Sequence, residues 1–243
     1  MTPDGTGSMV VVVPTRGRPG AVAELARAFT ETCGEYTKLL LVIDADDPNA
    51  GEYRQVVADL EHWGPLTTLI TQPSGTMVTA LNFGAAHVLA TWPDVEAIGM
   101  MGDDHRPRTP DWDEAYVDAL RSLPGFVYGN DLVQRSSLPT QVAVSTSVIE
   151  SLGHMAPPTL HHLYVDNYWL TLGRSAGCIT YLPHVVVEHL HPVAGTAEWD
   201  DGYRRVNAPD MYQRDREAFQ AYMREHGPTE VLAVREALAR SPR

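Results

Sequence analysis

The chain has 243 residues, with 18 Lys+Arg against 31 Asp+Glu and a formal net charge of −13. That balance argues against simple electrostatic binding of nucleic acid, which depends on Lys and Arg displacing counterions. Hydrophobic residues make up 44% and charged residues 20%, so the chain can bury a large core, and disorder is not expected.

The N-terminal segment Met1–Ser8 shows no basic-then-apolar pattern of a signal peptide. The longest apolar runs, Met9–Val13 and Leu39–Ile43, fall far short of the roughly 20 residues of a membrane span. Cys33 and Cys178 are too few for a disulfide framework and fit a reducing compartment, so a cytoplasmic protein is expected.

In chain order, Met9–Val13 reads as a buried strand ended by Pro14. Val22, Leu25, Ala26 and Phe29 recur at helical spacing, which predicts a helix over 20–32. Leu39–Ile43 is a second strand, Glu52–Trp63 a helix, Leu66–Thr71 a third strand, Thr76–Thr91 a helix and Val95–Met101 a fourth strand. Such alternation implies right-handed crossovers and a mainly parallel, twisted sheet.

Beyond it the pattern is less regular. Asp111–Ser122 predicts a helix, Phe126–Tyr128 and Val142–Ser145 short strands, and Ser147–Leu152 a short helix. After a Pro- and His-containing loop come a helix near Val165–Gly173 and β segments Cys178–Tyr181 and His184–His189. Ala194–Asn207 reads as loop, and Asp210–Glu225 and Thr229–Arg240 as helices. The expected architecture is one α/β domain over 1–205, Rossmann-type, with a C-terminal helical extension over 206–243.

Ligands of open α/β sheets sit beyond the carboxyl ends of the strands. Three of those ends carry polar clusters: Pro14-Thr15-Arg16-Gly17-Arg18, Asp44-Ala45-Asp46-Asp47 and Gly102-Asp103-Asp104-His105. Carboxylate and imidazole on one turn can bind a divalent cation and leave positions open. Such a cation can bridge a nucleotide diphosphate and neutralise a leaving group. In the late strand, residues 185, 187, 189 and 191 share a face at period two, so His189 and His191 point the same way.

These residues resemble a GT-A-type nucleotide-sugar glycosyltransferase of the family-2-like group. The resemblance runs from about Val10 to His191. It implies that Pro14, Thr15, Arg16 and Arg18 line the nucleoside pocket, that Asp44 and Asp46 face base and ribose, and that Asn82 and Gly84 belong to the Asn-x-Gly segment of the donor side. It implies a Mn²⁺ or Mg²⁺ held by Asp103, His105 and His189, with Asp104 on ribose or metal and His191 at the diphosphate or one step out from the metal. Tyr164–Trp169 resembles the acceptor-side segment, in which Asp166 would be the general base. Asn167, Trp112 and Trp169 are further acceptor-side candidates. Trp199, between Gly195 and Gly202, is a candidate for a flap over the donor.

Two departures stand out. The family commonly places a cation before the Asn-x-Gly segment, where this chain has Thr79-Ala80-Leu81. Arg16, Arg18, Arg204 and Arg205 are candidates to replace it. The family's acidic pair is Val165-Asp166 here, so one carboxylate remains. The irregular spacing of His154, His161 and His162, with no cysteines near, argues against structural zinc.

The expected function is therefore metal-dependent transfer of a sugar from a nucleotide-sugar, UDP-linked by expectation, to an acceptor hydroxyl, inverting if Asp166 is the base, with a retaining course as the alternative. A nucleotidyltransferase and a non-catalytic nucleotide-sugar-binding relative are the alternatives. The acceptor stays open between a carbohydrate and other hydroxyls. Nucleic acid enters only as a hydroxymethylated-base acceptor, for which Arg106, Arg108, Arg204 and Arg205 could supply local positive charge.

Overall fold

A computed structural model describes residues 8–34, 37–60, 67–199 and 201–240. Strand β1 (Met9–Thr15) has no polar residue before its last position, and Met9–Val13 is buried. That suits a strand covered on both faces. It pairs in parallel with β2 (Thr37–Asp44) on one side and β4 (Ala97–Met100) on the other. β3 (Thr67–Gln72) extends the parallel set beside β2. The sheet continues past β4 with β7 (Val142–Ser145), β6 (Phe126–Asn130), β8 (Ile179–His189) and β5 (His105–Pro107), in the order β3-β2-β1-β4-β7-β6-β8-β5. β7 runs antiparallel to β4 and β6, and β5 antiparallel to β8. β6 and β8 are parallel, so they point the same way as β1–β4. The carboxyl ends of β1, β2, β3, β4, β6 and β8 therefore lie along one edge.

Alternation along the strands divides the core into two layers. Val10, Val12, Leu40, Val42, Ile98 and Val144 face α3 (Met77–Thr91), α5 (Thr146–Leu152) and α6 (Val165–Ala176). Met9, Val11, Val13, Leu39, Leu41 and Ala143 face α1 (Pro19–Thr32) and α4 (Trp112–Ser122). α2 (Ala50–Leu60) packs beside α1. The two C-terminal helices, α8 (Pro209–Glu225) and α9 (Gly227–Arg240), complete the first layer, where Tyr222 and Val234 join the buried cluster. Helices α8 and α9 thus share their core with the sheet.

Several expected elements differ in detail. His105–Pro107, read as a turn, is a strand because β8 offers it an antiparallel ladder. The two β segments at 178–181 and 184–189 are one strand, with an irregularity opposite Gly129 and Asn130 that carries it past Pro183. The stretch read as loop over Ala194–Asn207 follows directly on a short 3₁₀ turn, Pro192–Ala194, and contains helix α7 (Asp201–Val206). Its polar composition hides an apolar anchor, Tyr203, which is 7% exposed. The expected helix residues 61–63 and strand residue 66 lie outside the described residues. Among the described residues, no helix is long and apolar enough to cross a membrane.

Candidate active site

β1 delivers Thr15 and the following loop to the edge. Thr15 Oγ1 donates to Asp103 Oδ2 at 2.7 Å, and Arg18 Nη1 donates to Asp103 Oδ1 at 2.9 Å. The Tyr53 hydroxyl of α2 accepts the Arg18 backbone N–H at 2.8 Å and lies 3.2 Å from Thr15 Oγ1. Gly17 adopts φ +70°, a conformation that favours glycine, and its N–H reaches Asp47 Oδ2 at 2.9 Å. At the end of β2, Arg16 Nη1 lies 2.6 Å from both Asp44 Oδ2 and Asp46 Oδ1. The second oxygen of Asp44 accepts from Gln72 Nε2 at 2.9 Å. Hydrogen bonding to Arg16 lowers the Asp46 carboxyl to about 2. The first two strand ends are thus bound together before any ligand arrives.

The second cluster forms where β4 ends. Asp104, His105 and His189 bring one potential ligand atom each to within 4.8 Å of one another. Register explains part of this: His105 and His189 are directly opposed across β5 and β8. His105 Nδ1 lies 3.1 Å from the Gly102 nitrogen and 3.2 Å from Asp104 Oδ1, while its Nε2 is buried with no hydrogen-bond partner among the described residues. A buried ring nitrogen left without a partner fits a metal ligand. Two imidazoles and a carboxylate are a donor set suited to a divalent transition cation.

The carboxylate beside the histidines is Asp104. Burial works to raise its carboxyl, but hydrogen bonds with His105 and His189 outweigh that and hold it well below the usual range. Asp103, expected in the metal set, is instead turned towards Thr15 and Arg18. Burial, with the neighbouring Asp104 charge, raises it to about 6. Arg106, itself buried, donates to the backbone oxygens of Asp103 and His105 at 2.7 Å each and pairs with Glu24, which fixes the turn.

Asp166 lies in the first turn of α6, and its Oδ1 accepts the Asn167 N–H at 2.8 Å. Burial raises its carboxyl to about 6, with His189 acting in the opposite sense. Between the turn and the C-terminal segment is a cleft of about 360 Å³, lined by Arg18, Asp104, Arg106, Leu190, Glu198 and Tyr203. The Tyr203 hydroxyl donates to Asp104 Oδ2 at 2.7 Å, and the Arg18 guanidinium sits 4.1 Å from the Tyr203 ring centroid. The His191 ring is 5.2 Å from His189 and 6.4 Å from Trp199, which is 44% exposed.

Other expected residues have different duties. Trp112 and Trp169 are each 1% exposed, so neither can stack on an acceptor. Trp112 packs edge-on against Phe29, and Trp169 Nε1 donates to the Met155 carbonyl at 2.8 Å. Asn82 uses its amide to bond Met155 N, Ala156 N and Ala156 O. Gly84 lets α3 approach the sheet, since a Cβ there would lie 2.5 Å from Val12 Cγ1. The Asn-x-Gly segment is thus a packing device here. Pro14 sits in the β1 ladder opposite Val42. Tyr53 and Tyr203 are residues of this cluster that the sequence alone did not mark, and Arg106, expected only as local positive charge for a nucleic-acid acceptor, instead fixes the Asp103–His105 turn. The only signal that could have found Tyr203 was an aromatic at the end of a polar loop.

No family model matches the chain, and no curated protein matches it. Solved structures do. The mannosyltransferase PcManGT from Pyrobaculum calidifontis, in complex with GDP-Man and Mn²⁺, is 18% identical with a TM-score of 0.60. The match covers 98% of this chain and 76% of that one. S. aureus TarS is 12% identical with a TM-score of 0.58 over 90% of this chain and 43% of that one. Its 1–349 form in complex with UDP-GlcNAc is 11% identical with a TM-score of 0.57, covering 95% and 81%. At these identities the likeness is one of fold, and the fold is GT-A-like.

Proposed function

We propose that the protein is a metal-dependent GT-A glycosyltransferase that takes a sugar from a nucleotide-sugar, UDP-linked by preference, to an acceptor hydroxyl. The observation that carries this reading is the convergence of Asp104, His105 and His189 at the carboxyl edge, with His105 Nε2 buried and without a hydrogen-bond partner among the described residues. The fold it shares with proteins solved with GDP-Man and Mn²⁺ or with UDP-GlcNAc supports it.

Asp104, His105 and His189 would hold Mn²⁺ or Mg²⁺, with Asp104 taking the part first expected of Asp103. Bound there, the cation would supply Lewis-acid neutralisation of a departing diphosphate. The chain's own groups do the rest. Asp44 and Asp46, locked by Arg16, present a fixed acidic edge to base and ribose. Thr15 and Arg18 hold Asp103 beneath the donor. Asp166, raised to about 6, is ionised at neutral pH yet basic enough to accept the acceptor hydroxyl proton. The acceptor oxygen forms its bond to the anomeric carbon as the bond to the diphosphate oxygen breaks, which inverts the centre. The hydroxyl proton ends on Asp166, and the electron pair leaves with the nucleoside diphosphate.

Thermal-shift and calorimetric titration of UDP-, GDP- and other nucleotide-sugars, with Mn²⁺ or with EDTA, tests the reading. Metal-dependent donor binding and slow donor hydrolysis are expected. Absence of binding to every nucleotide-sugar would overturn it. Binding without transfer or hydrolysis would favour a non-catalytic relative, and pyrophosphate release from NTP plus sugar phosphate would favour a nucleotidyltransferase. A panel of carbohydrate acceptors and hydroxymethylated DNA then separates the acceptor classes.

A further inference from the structure

The two neighbouring carboxylates of the Asp-rich turn are chemically alike, yet they face different partners. Asp103 accepts from Thr15 and Arg18, whereas Asp104 turns to His105 and His189. One side chain, Tyr203 of α7, reaches both sides of that division from 99 positions beyond Asp104. Its hydroxyl donates to Asp104 Oδ2 at 2.7 Å. Its ring carries the Arg18 guanidinium 4.1 Å from the centroid, and the same guanidinium bonds Asp103 Oδ1 at 2.9 Å.

Tyr203 is itself well fixed. It is buried, and the ring of His191 stands edge-on to it at 5.3 Å. Its hydroxyl also lies 3.1 Å from the Leu190 carbonyl, and the Leu190 N–H donates to the Asp104 carbonyl at 2.9 Å. Asp104 is therefore held at its backbone by Leu190 and at its carboxylate by Tyr203. Both holders come from the chain at or after the end of β8. Tyr203, Arg18, Asp104 and Leu190 all line the cleft of about 360 Å³, so this contact forms the wall between the cleft and the imidazole pair.

We propose that Tyr203 is the positioning residue that makes Asp104, rather than Asp103, the metal-binding carboxylate. The hydroxyl fixes the Asp104 side chain beside the two imidazoles, and the ring keeps Arg18 on Asp103. The inference rests on the metal-dependent reading of the site and adds to it a residue from outside the sheet. A ligating carboxylate is itself hydrogen-bonded, and loss of such an outer partner weakens metal binding by about 10- to 100-fold. The tyrosine hydroxyl supplies that bond without bringing a charge of its own. Because Tyr203 belongs to α7, cation affinity follows where α7 sits.

The test is Mn²⁺ titration of the full chain followed by electron paramagnetic resonance, with no nucleotide present. Tyr203→Phe keeps the ring against Arg18 and His191 and removes only the hydroxyl. It is expected to weaken Mn²⁺ binding roughly tenfold, while its thermal melt in EDTA stays close to that of wild type. Tyr212→Phe, which removes an exposed hydroxyl bonded to Asn207, should leave Mn²⁺ affinity unchanged. In an Asp104→Asn background, adding Tyr203→Phe should cost less than about twofold more, because the hydroxyl acts through that carboxylate. Equal Mn²⁺ affinity in wild type and Tyr203→Phe would overturn the role of Tyr203. So would a further loss of about tenfold in the Asp104→Asn background, or an EDTA melt of Tyr203→Phe that collapses, since either makes Tyr203 a merely structural contact. A wild type that binds no Mn²⁺ removes the metal-dependent reading itself, a result distinct from a wild type that binds Mn²⁺ beside an unaffected Tyr203→Phe.

Discussion

His105 stacks on His189 with ring centroids 4.4 Å apart and planes within 9°. The pair exists because a three-residue strand after the Asp-rich turn returns antiparallel to β8 and places the two residues opposite each other. Removing either ring takes away one of three converging donors. His189→Ala and Asp104→Asn are each expected to weaken Mn²⁺ binding at least about tenfold, as loss of a ligand should exceed the effect of an outer partner. Asp103→Asn, whose carboxylate faces Thr15 and Arg18, should weaken Mn²⁺ less than Asp104→Asn does. Electron paramagnetic resonance of free Mn²⁺ checks the ranking. The opposite order would return Asp103 to the metal set.

Asp166 gives a pH prediction in two parts. As a base it works only when ionised, so transfer should rise with pH through about 6 and then level. Asp166→Asn should lower transfer by about 10²–10⁴-fold, with donor affinity nearly unchanged. For stability the sign is opposite. A carboxyl raised to about 6 in the folded chain favours folding most below its unfolded value, and that contribution is lost as pH rises through about 6. Asp166→Asn escapes that loss and should be more stable than wild type by about 1–2 kcal/mol at pH 8. Paired activity profiles and thermal melts at pH 5 and pH 8 test both statements.

The parallel half of the sheet was legible because its strands are continuous apolar runs separated by periodic helices. Met9–Val13 and Leu39–Ile43 form most of β1 and β2, which pair with an offset of two residues, Val11 opposite Leu39. The polar strand ends also marked the edge at which Asp104, His105 and His189 converge. What escaped was set by long-range pairing. Nothing in His105-Arg106-Pro107 reads as a strand until β8 lies beside it. The choice between Asp103 and Asp104 depends on which faces Thr15, a residue 88 positions away. Trp112 and Trp169 have the residue type of a sugar platform, and only burial shows that they belong to the core.

Asn82 and Gly84 make the packing reading of the Asn-x-Gly segment testable. A Cβ on Gly84 would sit 2.5 Å from Val12 Cγ1 and 2.9 Å from Val42 Cγ2. Gly84→Ala should therefore cost about 1–3 kcal/mol through overpacking. Asn82→Ala strands the backbone N–H groups of Met155 and Ala156 and the Ala156 carbonyl, at a cost of about 1–3 kcal/mol. Chemical denaturation measures both. In the folded variants, nucleotide affinity should stay within about twofold of wild type, because neither side chain touches the Thr15–Arg18 or Asp104–His189 clusters. A selective loss of nucleotide binding at full stability would restore their donor-side role.

Glu230 of α9 ties the C-terminal helices to α6. It accepts from the hydroxyls of Tyr168 on α6 and Tyr222 on α8, and His154 Nε2 lies 3.3 Å from it. Burial works to raise its carboxyl, but these hydrogen bonds outweigh it and leave it lowered. A lowered carboxyl contributes stability at neutral pH that is lost as pH falls through its folded value. Glu230→Ala leaves two buried tyrosine hydroxyls without this acceptor and should cost about 2–4 kcal/mol at pH 7, with a smaller difference from wild type at acid pH. Deleting α8 and α9 goes further, since it also takes Tyr222 and Val234 out of the buried cluster, uncovers the rest of that cluster and removes Asp215 from the loop before α6. A chain ending at Val206 is therefore expected to lose its cooperative thermal transition. A sharp melt from that truncated chain would show instead that the first 206 residues form an independent domain.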